Sequence, residues 1–252
     1  MEVSTKNLDF KVDNRMILES INIQCSGNKM VGILGPNGSG KTTFLRHIYY
    51  EYPTREKIFF NQADIASFTR KELAQRVAVL TQQMDMVDQH MTVAEIVSMG
   101  RYPYKGLFEQ YDKLDMELVD RILEENGLSD FSNRTLETMS GGEIQRTMLA
   151  KALAQQTDLL ILDEPTNHLD VKYRVELMDM LKDFPGLVMI TLHDLNLAAN
   201  YCDYLYVLKD GRICGEGTPQ EVCTDLFLSD IFKVPFKVIH VPETVIYVQQ
   251  IR

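Results

Sequence analysis

No run of apolar residues in this sequence approaches the ~20 that a bilayer-spanning helix needs. The first residues, Met1-Glu2-Val3-Ser4-Thr5-Lys6, do not read as a secretory signal, so any link to a membrane is expected to run through a partner protein. Positive charge is scarce: 26 Lys and Arg stand against 36 Asp and Glu, a net charge of −10. That balance argues against nucleic-acid binding as the main business of the surface. Cys25, Cys202, Cys214 and Cys223 form no C-x-x-C pair and no zinc spacing, so free thiols in a reducing cytosol are expected, with no metal site built from them. There is no internal repeat and no low-complexity linker. What remains is an ordinary globular composition, 45% hydrophobic and 25% charged over 252 residues, enough to bury a full core.

Within that composition one stretch stands out, Gly35-Pro36-Asn37-Gly38-Ser39-Gly40-Lys41-Thr42-Thr43. It follows the apolar run Met30–Leu34 and precedes a helical pattern from Phe44, which is the order strand, glycine-rich loop, helix. Glycines let consecutive N–H groups converge on an anion, and the start of the following helix adds its own unpaired N–H groups. In such a loop Lys41 is expected to reach the β- and γ-phosphates of a nucleotide and the Thr42 hydroxyl to ligate Mg²⁺.

Around this loop the chain reads as α/β. Residues 1–27 alternate apolar and polar, as half-buried antiparallel strands do, with a turn at Asp13-Asn14. A helix is expected from the loop to about Tyr50, then short strands at Lys57–Asn61 and Val77–Thr81, with a capping box at Thr69-Arg70-Lys71-Glu72 between them. From about residue 84 to 150 the texture is helical. A second capping box, Thr92-Val93-Ala94-Glu95, opens this part, and Leu114, Leu118, Ile122 and Leu123 form the inward stripe of a helix over 112–126. Leu159–Leu162 and Leu187–Leu192 are continuous apolar runs, expected as parallel strands covered on both faces. A hairpin over 204–214, a helix opened by Thr218-Pro219-Gln220-Glu221 and one or two strands within 238–248 complete the chain.

Two further motifs carry chemistry. Asp163 and Glu164 end a buried strand, on the side of the sheet where the glycine loop also lies. Asp163 fits the carboxylate that holds Mg²⁺ beside Thr42, and Glu164 the group that positions or deprotonates an attacking water. Ser140-Gly141-Gly142-Glu143 opens a helix as a capping box, which accounts for Ser and Glu but leaves two adjacent glycines unexplained. Paired glycines at a helix start make a second anion site, and one small domain has little use for two phosphate sites unless two copies face each other.

With these residues in hand, the sequence resembles the nucleotide-binding subunit of an ABC transporter over nearly its whole length. The resemblance implies a P-loop NTPase core with a mainly parallel sheet, an N-terminal antiparallel β subdomain and an inserted α-helical subdomain, all in a single domain over 1–252. It assigns Gly35–Thr43 as the Walker A loop and Gln82 as the glutamine that contacts Mg²⁺ and couples it to the helical region. Met139–Glu143 becomes the signature, usually begun by Leu, and Leu159–Glu164 the Walker B strand with its catalytic glutamate. Thr166-Asn167-His168-Leu169-Asp170 becomes the D-loop, with Asp170 beside the nucleotide, and His193 the switch histidine that contacts the γ-phosphate. His47, His90, His168 and His240 are expected in structural roles.

The resemblance also implies ATP and Mg²⁺ as cofactors, a head-to-tail dimer in which Ser140–Gly142 of one copy caps ATP on the loop of the other, and membrane-spanning permease subunits. An extracytoplasmic substrate-binding protein is implied indirectly, and the protein would sit at the cytoplasmic face of the cell membrane. The narrower likeness, carried by Thr92–Val97, Gly100-Arg101-Tyr102-Pro103 and His193–Ala198, is to importer ATPases for iron–siderophore, haem or cobalamin. A soluble ABC ATPase without a permease, acting in assembly or as a scaffold, is the alternative. Residues near Arg101–Tyr104, with Leu107, Phe108 and Tyr111, either face the permease or pack within the helical region. Where the family stacks an aromatic ring on adenine this chain has Val12, with Phe10 as the candidate substitute. Base stacking is worth ~1–3 kcal/mol, so base selectivity is expected to be weak.

Overall fold

The computed structural model of the chain describes residues 1–81, 88–106, 108–167, 169–241 and 245–251. The N-terminal alternation folds as β1 (Glu2–Val12) and β2 (Arg15–Ser26), paired antiparallel. Asp13 and Asn14 between them have φ of 46° and 64°, the left-handed pair that a two-residue hairpin turn requires and that Asp and Asn tolerate. β3 (Met30–Leu34) is buried at every residue. The glycine loop follows, then α1 (Lys41–Ile48), which ends two residues short of the expected Tyr50. β4 (Ile58–Phe60) and β5 (Ala63–Asp64) extend the first sheet in the order β2-β1-β4-β5. α2 (Arg70–Ala74) opens on the Thr69–Glu72 capping box with both reciprocal bonds made, and β6 (Val77–Leu80) follows it.

The helical part carries α3 (Val93–Ser98), α4 (Lys113–Glu125) and α5 (Gly141–Ala154). In α4 the inward stripe is shifted from the expected one. Leu114 is 75% exposed, while Leu118, Val119, Ile122 and Leu123 are buried, and Asp115, at 4% exposed, takes the inward position in the first turn. The reason is electrostatic: Asp115 pairs with Arg101 at 2.9 Å and with Lys105. Burial alone would raise its pKa, but those cations and the N–H of Asp112 hold it down at about 2.

Gly100, just past α3, marks a close approach rather than a simple stop. A Cβ there would lie 2.3 Å from the Lys151 carbonyl oxygen and 3.0 Å from the Ala154 Cβ. Gly100→Ala is therefore expected to destabilise the protein by ~1–3 kcal/mol, the usual size of an overpacking clash, read as a shift in urea midpoint with unchanged slope.

β7 (Leu159–Asp163), α6 (Val171–Lys182), β8 (Leu187–Thr191), α7 (Leu195–Tyr201), β9 (Tyr204–Lys209) and β10 (Arg212–Gly217) complete the main layers. The second sheet has the order β10-β9-β3-β8-β7-β6, parallel except for the β9–β10 hairpin. Alternate residues of its strands enter two apolar clusters. Leu160, Leu162, Val188 and Ile190 meet the helices, whereas Val31, Ile33, Ile161 and Met189 meet α1 and the first sheet. Cover on both faces is why these strands read as continuous apolar runs.

The chain ends in α8 (Pro219–Val222), α9 (Asp225–Phe232) and a two-stranded hairpin, β11 (Phe236–Val241) and β12 (Val245–Gln250). Helix side chains hold both outer edges of this hairpin. On β12, Asn196 and Asn200 of α7 each exchange two bonds with the backbone, at Val248 (2.7 and 3.1 Å) and Ile246 (2.9 and 2.7 Å). On β11, the N–H groups of Phe236 and Val238 donate to Ser229 Oγ (2.8 Å) and Asp225 Oδ1 (2.6 Å) of α9.

Candidate active site

The strand order sets β3, β8 and β7 side by side, so their carboxyl ends deliver the glycine loop, His193 and the Asp163–Glu164 pair to one place. Gly35 has φ 145°, and a Cβ on it would lie 2.0 Å from the Leu208 carbonyl oxygen, so no other residue fits there. Gly38 and Gly40 are also left-handed, at 76° and 105°. The loop is graded in exposure: Asn37 and Gly38 lie open, Pro36, Gly40, Thr42 and Thr43 are half-buried, and Ser39 and Lys41 are buried. Lys41 Nζ donates back to the carbonyls of Gly35 (2.9 Å) and Pro36 (3.2 Å). Burial lowers the Lys41 pKa, while the charges of Glu164 and Asp163 act to raise it, which places all three groups within one electrostatic neighbourhood. Ser39 Oγ is buried and has no hydrogen-bond partner, as expected of a loop whose polar atoms are arranged for an anion.

Glu164 follows β7 with φ 52°, left-handed for a residue with a full side chain. Such a conformation costs ~1–3 kcal/mol and persists where neighbours hold it. Its N–H donates to Thr191 Oγ1 at 2.7 Å. On its carboxylate, Oε1 lies 2.5 Å from His193 Nε2, and Oε2 accepts from Asn167 Nδ2 at 2.7 Å. Thr191 in turn donates to Asp163 Oδ1 at 2.7 Å. The expected pair of carboxylates is thus found within a wider set. No local pattern in the sequence marks Asn167 or Thr191 as a partner of the acids. For Thr191 the available signal was a polar residue near the end of an otherwise apolar strand.

Ser140 makes its capping box with Glu143 on both sides, 3.4 Å and 2.7 Å. The two glycines after it are the more informative residues. Neither has positive φ, a Cβ on Gly141 would meet nothing within 4 Å, and one on Gly142 would make an ordinary contact with Tyr173 at 3.6 Å. Nothing among the described residues demands glycine at either place. Gln145 of the same helix donates to the Pro165 carbonyl oxygen, tying α5 to the loop after Glu164. Asp170 is exposed and caps α6 through the Tyr173 N–H at 2.9 Å. Arg174 bridges the Leu169 carbonyl (3.1 Å) and Asp194 (3.5 Å), the residue after His193. Gln82 and His168 lie outside the described residues.

For a divalent cation, Thr42 and Asp163 offer hard oxygen donors, and among the described residues no group of three or more His, Cys, Asp or Glu could hold a metal. Such a sparse set fits Mg²⁺, which keeps waters and takes phosphate oxygens, and would hold it only together with a nucleotide. At the expected adenine end, Val12 is 46% exposed. Phe10 stacks on Tyr52 (5.0 Å between centroids) and meets His47 edge-on (4.6 Å). In the helical part Arg101 and Tyr104 are engaged internally, with Asp115 and with the Gln155 carbonyl at 2.8 Å. Tyr102 (56%) and Phe108 (93%) are exposed.

Comparison with known proteins identifies the relatives of this chain. The ABC transporter family profile matches residues 18–167. A probable siderophore transport system ATP-binding protein of Bacillus subtilis, YusV, is 35% identical over 95% of this chain and 89% of its own length. The iron(3+)-hydroxamate import ATP-binding protein FhuC of the same organism is 34% identical over 96% of this chain and 91% of its own. Among solved structures, a dimeric post-hydrolysis state of the ATP-binding cassette MJ0796, bound to ADP and Pi, superposes with a TM-score of 0.74. It is 25% identical to this chain, over 86% of it and 98% of the cassette. Among the described residues no helix is long and apolar enough to cross a membrane.

Proposed function

Because this chain belongs to the ABC transporter family and is an ATPase that works for transport, we propose that it powers a membrane importer of iron–siderophore complexes or of a related large chelate such as haem or cobalamin. The observation that carries the mechanism is the convergence of Lys41, Asp163, Glu164 and His193 at the ends of three adjacent strands. The siderophore-transport relatives over nearly the whole chain support the cargo class.

The residues act as follows. The N–H groups of Gly38 to Thr43 cradle the ATP phosphates, and Lys41 exchanges its loop carbonyls for the β- and γ-phosphates. Thr42 and Asp163, with Gln82, would hold Mg²⁺, whose charge would neutralise that of the phosphates. Glu164 accepts a proton as water oxygen attacks the γ-phosphorus and the bond to the bridging oxygen of ADP breaks, releasing phosphate. His193 and Asn167 fix the carboxylate, and His193 contacts the γ-phosphate as well. ABC ATPases dimerise and pair with permeases in importers. In this chain Ser140, Gly141 and Gly142 of a second copy cap the γ-phosphate head-to-tail, with Glu143 holding the cap and Asp170 at the seam. The chain works as a single ATPase domain at the cytoplasmic face of the membrane. Tyr102 and Phe108 belong to the surface that meets the permease, which in turn receives its cargo from an extracytoplasmic binding protein.

The test is reconstitution with the neighbouring permease in vesicles, assaying uptake of ferric siderophores, haem and cobalamin. Uptake of one of these that requires ATP and this chain is the expected result. A chain that stays apart from every membrane fraction, with turnover indifferent to permease, would instead favour the soluble assembly-factor reading.

A further inference from the structure

Thr191 ends β8, the strand that lies between β3 and β7, and is paired in register with Ile33 on one side and Asp163 on the other. It is 0% exposed. Its hydroxyl gives its one proton to Asp163 Oδ1 and accepts from the Glu164 N–H, each at 2.7 Å. One buried atom therefore fixes the direction of one carboxylate and the left-handed backbone of the next residue, which carries the other. Two residues on, His193 reaches the Glu164 side chain. The strand and the residues just past its end thus contact both acids, Thr191 through its hydroxyl and His193 through its imidazole.

We infer that Thr191 is a positioning residue for the reaction: it makes the metal-side carboxylate and the water-side carboxylate a single rigid unit. This rests on the roles proposed above for Asp163 and Glu164. Without the hydroxyl, Asp163 loses the donor that orients its Oδ1, and the Glu164 N–H loses its Thr191 acceptor at a left-handed φ. Groups that orient metal-binding or catalytic side chains typically cost 10–100-fold in metal affinity or activity when removed, roughly the range expected here.

The substitution that isolates the hydroxyl is Thr191→Val, with Thr191→Ser keeping it. Thr191→Val is expected to lower kcat/KM for Mg·ATP by about 10–100-fold, and Thr191→Ser to restore most of the loss. A second readout needs no turnover: Mn²⁺ titrated into each variant with a non-hydrolysable ATP analogue, followed by paramagnetic resonance. Mn²⁺ affinity is expected to fall by about the same factor in Thr191→Val only. Wild-type Mn²⁺ affinity in Thr191→Val, or equal loss in the Val and Ser variants, overturns the inference, because a packing role alone predicts either. If Thr191→Val does not fold, Thr191→Ala against Thr191→Ser makes the same comparison. Glu164→Gln measured alongside separates the two failures. Unimpaired Glu164→Gln overturns the reading of the site itself, whereas impaired Glu164→Gln with a wild-type-like Thr191→Val overturns only the part given to Thr191.

Discussion

Glu164→Gln will keep ATP binding and slow hydrolysis by about 10²–10⁴-fold, the usual contribution of a positioned general base. The change is close to isosteric, and its effect is chemical. An amide oxygen cannot take a proton from water at neutral pH, whereas the carboxylate can. The fold around it should hold, because the N–H bond to Thr191 belongs to the backbone and Asn167 can still donate to the amide oxygen. The altered partner is His193, whose Nε2 lies 2.5 Å from the carboxylate. Single-turnover hydrolysis separates the step, and equilibrium binding of labelled ATP shows that the site is intact. Near-normal turnover would sink the assignment of Glu164.

How far this site could be read in advance depended on whether each residue's role is written locally. The glycine loop and the Asp163–Glu164 pair are contiguous strings beside apolar runs, so their places followed from spacing. The capping boxes at Thr69, Thr92 and Ser140 were equally plain, because both partners lie three residues apart. Thr191 and Asn167 were not legible in the same way. Their bonds depend on the order β3-β8-β7 and on the turn taken at Glu164, and no local pattern sets either. Leu114 misled for a related reason: period alone put it inward, but Arg101 and Lys105, more than a turn away in sequence, draw Asp115 in instead. Of the resemblance-based assignments, Gln82 falls outside the described residues, and His193 lies 2.5 Å from the Glu164 carboxylate.

Gly141→Asp is the second large effect, and its signature is a split between stability and activity. An acidic side chain in the first turn of α5 complements the helix dipole, worth about 0.3–1 kcal/mol, and the space around the Gly141 Cβ position is open. The variant should therefore melt at the wild-type temperature or slightly above it. Its ATPase should nonetheless fall by about 10²–10³-fold, the size of losing a group aimed at transition-state charge, because a carboxylate would stand where the partner's γ-phosphate docks. The measurements are thermal unfolding without nucleotide, turnover against protein concentration, and ATP-induced dimerisation in a Glu164→Gln background. A variant that is stable, active and dimeric would mean that the glycines serve no second copy.

The C-terminal hairpin bears on how the protein behaves within a transporter complex. Two strands alone make a marginal sheet, and bare strand edges recruit other chains. Here α7 and α9 act as surrogate strands, with Asn196 and Asn200 on one side and Asp225 and Ser229 on the other taking up the outward backbone groups. Since α7 begins two residues after His193, the side chains that shield one edge from intermolecular pairing also moor the segment leading out of His193. One short helix thus covers a strand edge and anchors the segment that brings His193 to Glu164.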